Sequence, residues 1–211
     1  MLKLYDYPQC PYGQKTRIVL AEKQLDYEFE LVDLRNNGQH SPEFAMLNPL
    51  HKVPVLVEEY DGEIEMVVQE STIINEYLED EYPEPALLPR ADDSAARARI
   101  RELEDHADQL FVLAAGTLIA EHAKPAETRD PERLRRAKEE VDKTFRRLED
   151  ELEGGRIWLG GDQFTIADAA FAPRLLLLSQ RGVELPASMP QLRGYVDRLS
   201  KRESIRRLGA F

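Results

Sequence analysis

The sequence predicts a two-domain protein in which a small α/β domain is followed by an all-α domain. Three observations lead to this prediction. Strand-like and helix-like segments alternate over the first part of the chain, prolines then cluster at positions 83, 85 and 89, and the remainder shows only helical periodicity. We therefore expect a first domain at 1–82, a linker at 83–91 and a helical domain at 92–211.

The first domain has the order βαβ followed by ββα. Apolar or alternating segments predict strands at 2–5, 27–32, 53–57 and 64–68. Asp61-Gly62 predicts a tight turn between the last two strands, which should therefore form an antiparallel hairpin. Helices are expected at 11–23 and at 71–81, and a shorter one should start after Ser41.

The second domain is predicted to consist of long amphipathic helices. One helix has a face of apolar residues at alternating spacings of three and four: Ile100, Leu103, Ala107, Leu110 and Ala114. The next is expected to end at Gly154-Gly155. A third opens at Thr165, with Asp168 placed as in a capping box; we assign these two residues a folding role. Pro173 is expected to kink that helix.

Cys10 is the only cysteine, and it lies between the first strand and the first helix. Pro11 suits the first turn of a helix, so Cys10 is expected at the helix N-terminus, where the unpaired N–H groups and the helix dipole favour a thiolate. The alternative is a buried, inert cysteine. The flanking Tyr7-Pro8-Gln9 and Pro11 favour a loop over a core strand, and therefore a reactive thiol.

Composition excludes several classes of function. The 211 residues carry a net charge of −12, which repels nucleic acid, and the chain shows neither a signal peptide nor an apolar run long enough to span a membrane. A single cysteine fits a reducing compartment, so we expect a cytoplasmic protein. The four histidines show no spacing typical of metal ligands, and no metal is expected.

Several motifs, in this order, resemble the cytosolic glutathione transferase superfamily. A strand leading to Cys10-Pro11-Tyr12-Gly13 is similar to a glutaredoxin active site with Gly13 in place of the second cysteine. The segment 48–56 (NPLHKVPVL), the pair Glu70-Ser71 and the segment 165–168 (TIAD) are similar to glutathione transferases. The resemblance covers nearly the whole chain. It implies an α/β thioredoxin-like N-terminal domain plus an all-α C-terminal helical domain, the glutathione transferase fold.

The resemblance also implies an activity. Glutathione would be the cosubstrate, and the second substrate would be a small-molecule electrophile or a disulfide. A cysteine in the catalytic position points to the omega-like branch, with Cys10 as the catalytic residue and Tyr5 or Tyr7 as the fallback. Thiol transfer or glutathione-dependent reduction would dominate over conjugation, because a thiolate can itself attack a sulfur–sulfur bond. The family further implies a homodimer.

The residues implied to bind glutathione lie in two short segments: His51, Lys52, Val53, Pro54, Glu70 and Ser71. With Pro54 cis, Val53 would pair its peptide groups with the cysteinyl part of glutathione. Glu70 would meet the γ-glutamyl ammonium and Ser71 the adjacent carboxylate, while His51 and Lys52 match positions that hold the glycine carboxylate. The simpler alternatives are a trans turn proline at Pro54, a helix cap at Ser71 and a surface charge at Lys52.

A second resemblance points to a different class of function. The segments 17–23 (RIVLAEK) and 82–85 (YPEP) are similar to the stringent starvation protein A family, whose members bind RNA polymerase and are not transferases. That family carries a histidine between the prolines, where this chain has Glu84, and lacks the cysteine at Cys10. Both differences favour the enzyme.

Overall fold

The computed structural model describes residues 1–209 and divides into two compact units, Met1–Ala86 and a unit that begins at Leu87. The boundary between the units falls inside the stretch 83–91. The assignment of that whole stretch as a linker stays a prediction.

The first unit is built on a four-stranded sheet with the order β2-β1-β3-β4. The strands are β1 (Leu2–Asp6), β2 (Tyr27–Leu31), β3 (Val55–Tyr60) and β4 (Glu63–Gln69). β1 and β2 are parallel because helix α1 (Pro11–Glu22) connects them, whereas β1–β3 and β3–β4 are antiparallel. Asp61 and Gly62 both have positive φ, as two-residue hairpin turns favour, so the predicted hairpin is confirmed.

β3 begins two residues later than the sequence predicts. Its first residue is Val55, so Val53 and Pro54 lie outside the strand. Pro54 has no N–H to donate to a ladder, which explains why regular pairing starts only after it. The peptide groups on either side of Val53 therefore lie before the start of β3, outside the ladder of hydrogen bonds that joins the strands.

Helices cover both faces of the sheet. Side-chain alternation along β1 places Leu4 and Asp6 on one face, and Gly13 of α1 lies directly over the Asp6 carboxyl there. The opposite face carries a buried cluster made of Val32, Val55, Val57 and Phe44, the last from α2 (Pro42–Leu47). α3 (Ser71–Glu81) packs against α1 and brings the buried Ile74 and Leu78 into the core.

The second unit is mainly helical, and its segment 158–163 holds two isolated β-bridges. Its helices are α4 (Ser94–His106), α5 (Val112–His122), α6 (Pro131–Glu151), α7 (Ile166–Gln180), α8 (Pro190–Lys201) and α9 (Glu203–Arg206). α4 and α5 are joined by a π-helical segment, Ala107–Phe111, inside the long helix that the apolar spacing predicts. Gly154 and Gly155 have positive φ just after α6, which confirms the predicted helix end.

The predicted capping box at the start of α7 is confirmed. The Thr165 N–H donates to Asp168 Oδ2 at 2.7 Å, and Asp168 Oδ1 accepts from the Leu159 N–H at 3.0 Å and from the Tyr195 hydroxyl at 2.9 Å. Burial raises the pKa of Asp168, offset in part by these donors. α7 continues through Pro173, where the predicted kink stays a prediction. Among the helices of residues 1–209, none is long and apolar enough to cross a membrane.

Candidate active site

Three segments that carry the predicted site residues meet at one edge of the sheet. Tyr5 of β1 pairs with Val55 of β3, and Val55 pairs with Gln69 of β4. The chain leaves β1 and β4 and enters β3 at this edge. The loop to Cys10, the Val53-Pro54 pair and the Glu70-Ser71 pair therefore lie side by side at the ends of three neighbouring strands.

Cys10 is the N-cap residue of α1, as the sequence predicts. Its backbone is extended, its carbonyl accepts from the Gln14 N–H at 2.8 Å, and Pro11 occupies the first helical turn. The half-buried Cys10 Sγ lies 3.9 Å from the Val53 carbonyl oxygen. The thiol thus stands at the positive end of a twelve-residue helix and in contact with the loop that precedes β3.

Val53 and Pro54 are joined by a cis peptide bond. The Val53 side chain packs against the buried cluster around Val55 and Phe44, while its carbonyl faces Cys10. The side chain of Val53 therefore anchors this residue and leaves its backbone at the sheet edge.

Glu70 and Ser71 form the start of α3 in a strained conformation. Glu70 precedes the helix with φ +66° and ψ 119°, which costs a residue with a side chain about 1–3 kcal/mol. The Glu70 side chain is exposed, whereas Ser71 is buried at the first position of the helix. The exposed carboxylate thus belongs to the residue just before the helix, and backbone strain of this kind clusters at functional sites.

Lys15 links two helices that start at the candidate site, a contact that the sequence analysis missed. Its side chain is only 1% exposed, and Nζ donates to Thr72 Oγ1 at 3.0 Å. This contact joins α1 to the first turn of α3, so the helix that starts at Cys10 is tied to the helix that starts at Ser71. The sequence did carry a signal for the burial of Lys15, because Lys15 lies three residues before the buried Ile18 and therefore on the same face of α1.

His51 and Lys52 lie in a loop organised by the buried Asn48. The Asn48 side chain accepts from the Leu50 N–H at 2.9 Å and donates to the Lys52 carbonyl at 2.9 Å. His51 has φ +56°, its Nδ1 lies 2.8 Å from the Gln39 carbonyl, and its ring is 4.6 Å from that of His40. The Lys52 side chain is exposed. Sequence reasoning missed Asn48 and His40 as supports of this loop.

Tyr5 is a poor substitute for Cys10. Its ring packs against Phe44, with 6.4 Å between centroids, as part of the buried cluster on the α2 face of the sheet. Burial raises the pKa of the Tyr5 phenol, which disfavours a phenolate. Tyr7 contributes its backbone to the site, since its carbonyl accepts from the Cys10 N–H at 2.9 Å.

Gly13 is explained by packing. A Cβ built on Gly13 would stand 1.9 Å from Asp6 Oδ1 and 2.1 Å from Asp6 Cγ. No side chain fits there while the Asp6 carboxyl keeps its place, so a second cysteine is sterically excluded at this position. No cluster of histidine, cysteine and acidic residues that could hold a metal occurs within residues 1–209.

The two units match two parts of one family. Residues 4–86 match the family model of the glutathione S-transferase N-terminal domain, and residues 111–203 match that of the glutathione S-transferase C-terminal domain. A solved glutathione S-transferase from Methylobacillus flagellatus KT, with glutathione bound, superimposes with a TM-score of 0.80 and 30% identity, covering 100% of both chains.

Relatives by sequence include proteins of more than one kind. The chain is 35% identical to the GST-like protein YibF of Escherichia coli K12, over 98% of this chain and 97% of YibF. It is 31% identical to the stringent starvation protein A homolog of Coxiella burnetii, over 88% of this chain and 80% of that protein. Similarity to glutathione S-transferase Z1 of Arabidopsis thaliana reaches 44%, over 42% of this chain and only 38% of that protein.

Proposed function

The chain belongs to the glutathione S-transferase family, and we propose that it is a glutathione-dependent enzyme whose catalytic residue is Cys10. One observation carries this proposal: Cys10 is the N-cap residue of α1, and its thiol lies 3.9 Å from the Val53 carbonyl, at the sheet edge where α3 also begins. A thiol at a helix N-terminus is held where its anion is stabilised.

Each end of glutathione has a complementary group at this edge. The exposed Glu70 carboxylate would bind the γ-glutamyl ammonium, and Ser71 with the start of α3 would bind the adjacent carboxylate. Val53 would pair its backbone with the cysteinyl residue. His51 and Lys52 would face the glycine carboxylate, on a loop that Asn48 holds in shape.

The proposed chemistry is thiol transfer in two exchange steps. The Cys10 thiolate attacks a glutathionyl sulfur of a disulfide; a Cys10–glutathione bond forms as the original S–S bond breaks and the other thiolate leaves. A second glutathione thiolate then attacks the mixed disulfide, which releases Cys10 and forms oxidised glutathione. With Gly13 where a resolving cysteine would stand, the mixed disulfide accumulates until that second glutathione arrives.

Calorimetry with glutathione tests the binding half of the proposal. Glu70→Ala should weaken binding about tenfold or more, because a charge-assisted hydrogen bond is lost. Glu65→Ala is the matched control, since Glu65 is an exposed glutamate of β4, and it should bind as the wild type does. No heat of binding from the wild type at millimolar glutathione would refute the proposal.

The same experiment separates the enzyme from its rival. Similarity to the stringent starvation protein A homolog of Coxiella burnetii supports the second candidate, a member of that family. The family resemblance implies that such a protein would bind RNA polymerase. Against it stand Cys10 and Glu84, both of which depart from the motifs of that family. A protein that ignores glutathione but is retained by RNA polymerase would favour the regulator.

We further propose that the protein acts as a homodimer. Three large apolar side chains are exposed on β4 and α3, namely Ile64, Met66 and Ile73, with 55%, 44% and 56% of their surface accessible. Exposed large apolar side chains of this kind favour burial against a partner. Sedimentation at micromolar concentration should give twice the chain mass of 24.2 kDa, and a monomer would contradict the proposal.

A cytoplasmic location completes the proposal. Thiol transfer requires Cys10 to be reduced between turnovers, which a reducing compartment maintains. Cell fractionation should recover the protein with cytoplasmic markers, and recovery from an oxidising compartment would contradict this assignment.

A further inference from the structure

A buried carboxyl lies beneath the first turn of the helix that carries Cys10. Asp6 is the last residue of β1 and is fully buried, and its backbone is fixed because its carbonyl accepts from the Val32 N–H at 2.9 Å. Its carboxyl fills the space in which Gly13 would carry a side chain. A burial this complete is rare for an aspartate unless it is paired.

The partner of Asp6 also holds the loop that leads to Cys10. Arg17 of α1 places Nε 3.1 Å from Asp6 Oδ2, and its Nη2 donates to the Pro8 carbonyl at 2.6 Å. Gln14 Nε2 donates to the same carbonyl at 3.2 Å. Pro8 lies two residues before Cys10, so the guanidinium bridges the buried carboxylate and the backbone next to the thiol.

The groups around Asp6 determine the pH at which its carboxyl ionises and pairs as an anion with Arg17. Acting on its carboxyl are Arg17 from α1 and the backbone N–H of Tyr7, the residue that follows β1, while Tyr27 of β2 lies within range of its charge. Burial raises the pKa of Asp6 to about 7, against the opposing effects of Arg17 and the Tyr7 N–H. Asp6 is thus neutral in mild acid and negative above neutral pH.

We propose that Asp6 is a positioning residue for Cys10, which acts through Arg17 to hold the Pro8 carbonyl and the loop before the thiol. While Asp6 is ionised, the mostly buried Arg17 has a counter-charge and keeps both contacts. When Asp6 takes up a proton, the guanidinium loses that counter-charge and is favoured to move toward water, because a buried unpaired charge is costly. The Pro8 carbonyl is then released, and the thiol is less well placed for attack.

This inference uses the proposed role of Cys10 as a nucleophile, but it does not depend on glutathione. Iodoacetamide serves as the probe: the Cys10 sulfur forms a bond to the methylene carbon, and iodide leaves. Because Cys10 is the only cysteine, intact-mass measurement follows this one site. A protein that fails to bind glutathione can still confirm or refute the role of Asp6.

The test compares alkylation rates of the wild type and Asp6→Asn from pH 5.5 to 8.5. Asparagine has the shape of the protonated carboxyl, so the two proteins should react at similar rates at the acid end. At pH 8 the wild type should react about tenfold faster than Asp6→Asn, because the variant lacks the charge-assisted contact with Arg17. Asp26→Asn, which removes an exposed carboxylate from the same unit, should match the wild type throughout.

A rate ratio that stays constant across this pH range would overturn the proposal, because a purely structural role predicts one factor at every pH. A second measurement needs only the wild type, in case Asp6→Asn does not fold. The alkylation rate is divided by the thiolate fraction, read from the absorbance at 240 nm. The quotient should rise about tenfold between pH 6 and pH 8, and a flat quotient would refute the inference.

Discussion

The contact between Gly13 and Asp6 predicts that one methyl group disrupts the first unit. In Gly13→Ala the new Cβ would stand 1.9 Å from Asp6 Oδ1 and 2.1 Å from Oδ2. The carboxyl must therefore move by about an ångström or more, yet Arg17 and the fixed end of β1 hold it. The clash concerns a buried, charged pair and not the flexible tip of an exposed side chain.

The expected loss of unfolding free energy is about 2–4 kcal/mol. Overpacking costs ~1–3 kcal/mol, and disturbance of a buried ion pair adds to it, while replacing a helical glycine by alanine returns up to ~1 kcal/mol. Urea unfolding followed by circular dichroism measures this difference in unfolding free energy. The comparison requires that the slope of unfolding free energy against urea concentration is the same in the wild type and the variant. In the background of Asp6→Ala the same change should be neutral or stabilising, because the clashing atoms are gone.

Gly116→Ala is the matched control. Gly116 lies within α5, and a Cβ there meets nothing within 4 Å, so this variant should gain stability of up to ~1 kcal/mol. If Gly13→Ala behaves like Gly116→Ala while Asp6 is present, the steric explanation of Gly13 is wrong. The absence of a second cysteine would then need another cause.

Two further predictions concern buried charges in the first unit. Because the pKa of Asp6 is raised from 3.8 to about 7 in the folded protein, its contribution to stability is fully present below about pH 4 and is lost as the pH rises through about 7. Between pH 4 and pH 7 the unfolding free energy of the wild type, measured with urea, should therefore fall by up to ~4 kcal/mol relative to that of Asp6→Asn. If the unfolding free energies of the two proteins change in parallel with pH, the pKa of Asp6 is not raised. Lys23 Nζ lies 2.7 Å from the buried Glu79 and donates to the Tyr82 and Pro85 carbonyls, so Lys23→Met should cost about 3–5 kcal/mol. Lys201→Met, which breaks an exposed pair with Asp197, should change little, and equal effects of the two variants would refute this account.

Local patterns were sufficient to predict the elements that position the site. Pro11 and the apolar residues after it indicated a helix starting next to Cys10, and Asp61-Gly62 indicated the hairpin, because turn and cap preferences act between near neighbours. The capping box at Thr165 and Asp168 was recognisable for the same reason. The proposed binding roles of Val53 and Glu70 rest on family resemblance, which spacing alone does not supply.

The contacts that sequence reasoning missed depend on tertiary packing. Lys15 meets Thr72 across 57 positions of the chain, and Asp6 fits under Gly13 only after α1 has packed on the sheet. The positive φ of Glu70 and of His51 has no compositional signal, since neither residue is a glycine. The π-helical segment 107–111 keeps the apolar spacing of an ordinary helix closely enough to escape detection.

Exposure to oxidised glutathione, followed by intact-mass analysis, tests the central claim that Cys10 is the nucleophile. The wild type should gain one glutathionyl group, which added glutathione removes, and Cys10→Ser should gain none. Disulfide-reductase activity should vanish in Cys10→Ser, because a hydroxyl does not form the mixed disulfide. If Cys10→Ser keeps full reductase activity, Cys10 is not the catalytic residue and the proposed mechanism is wrong.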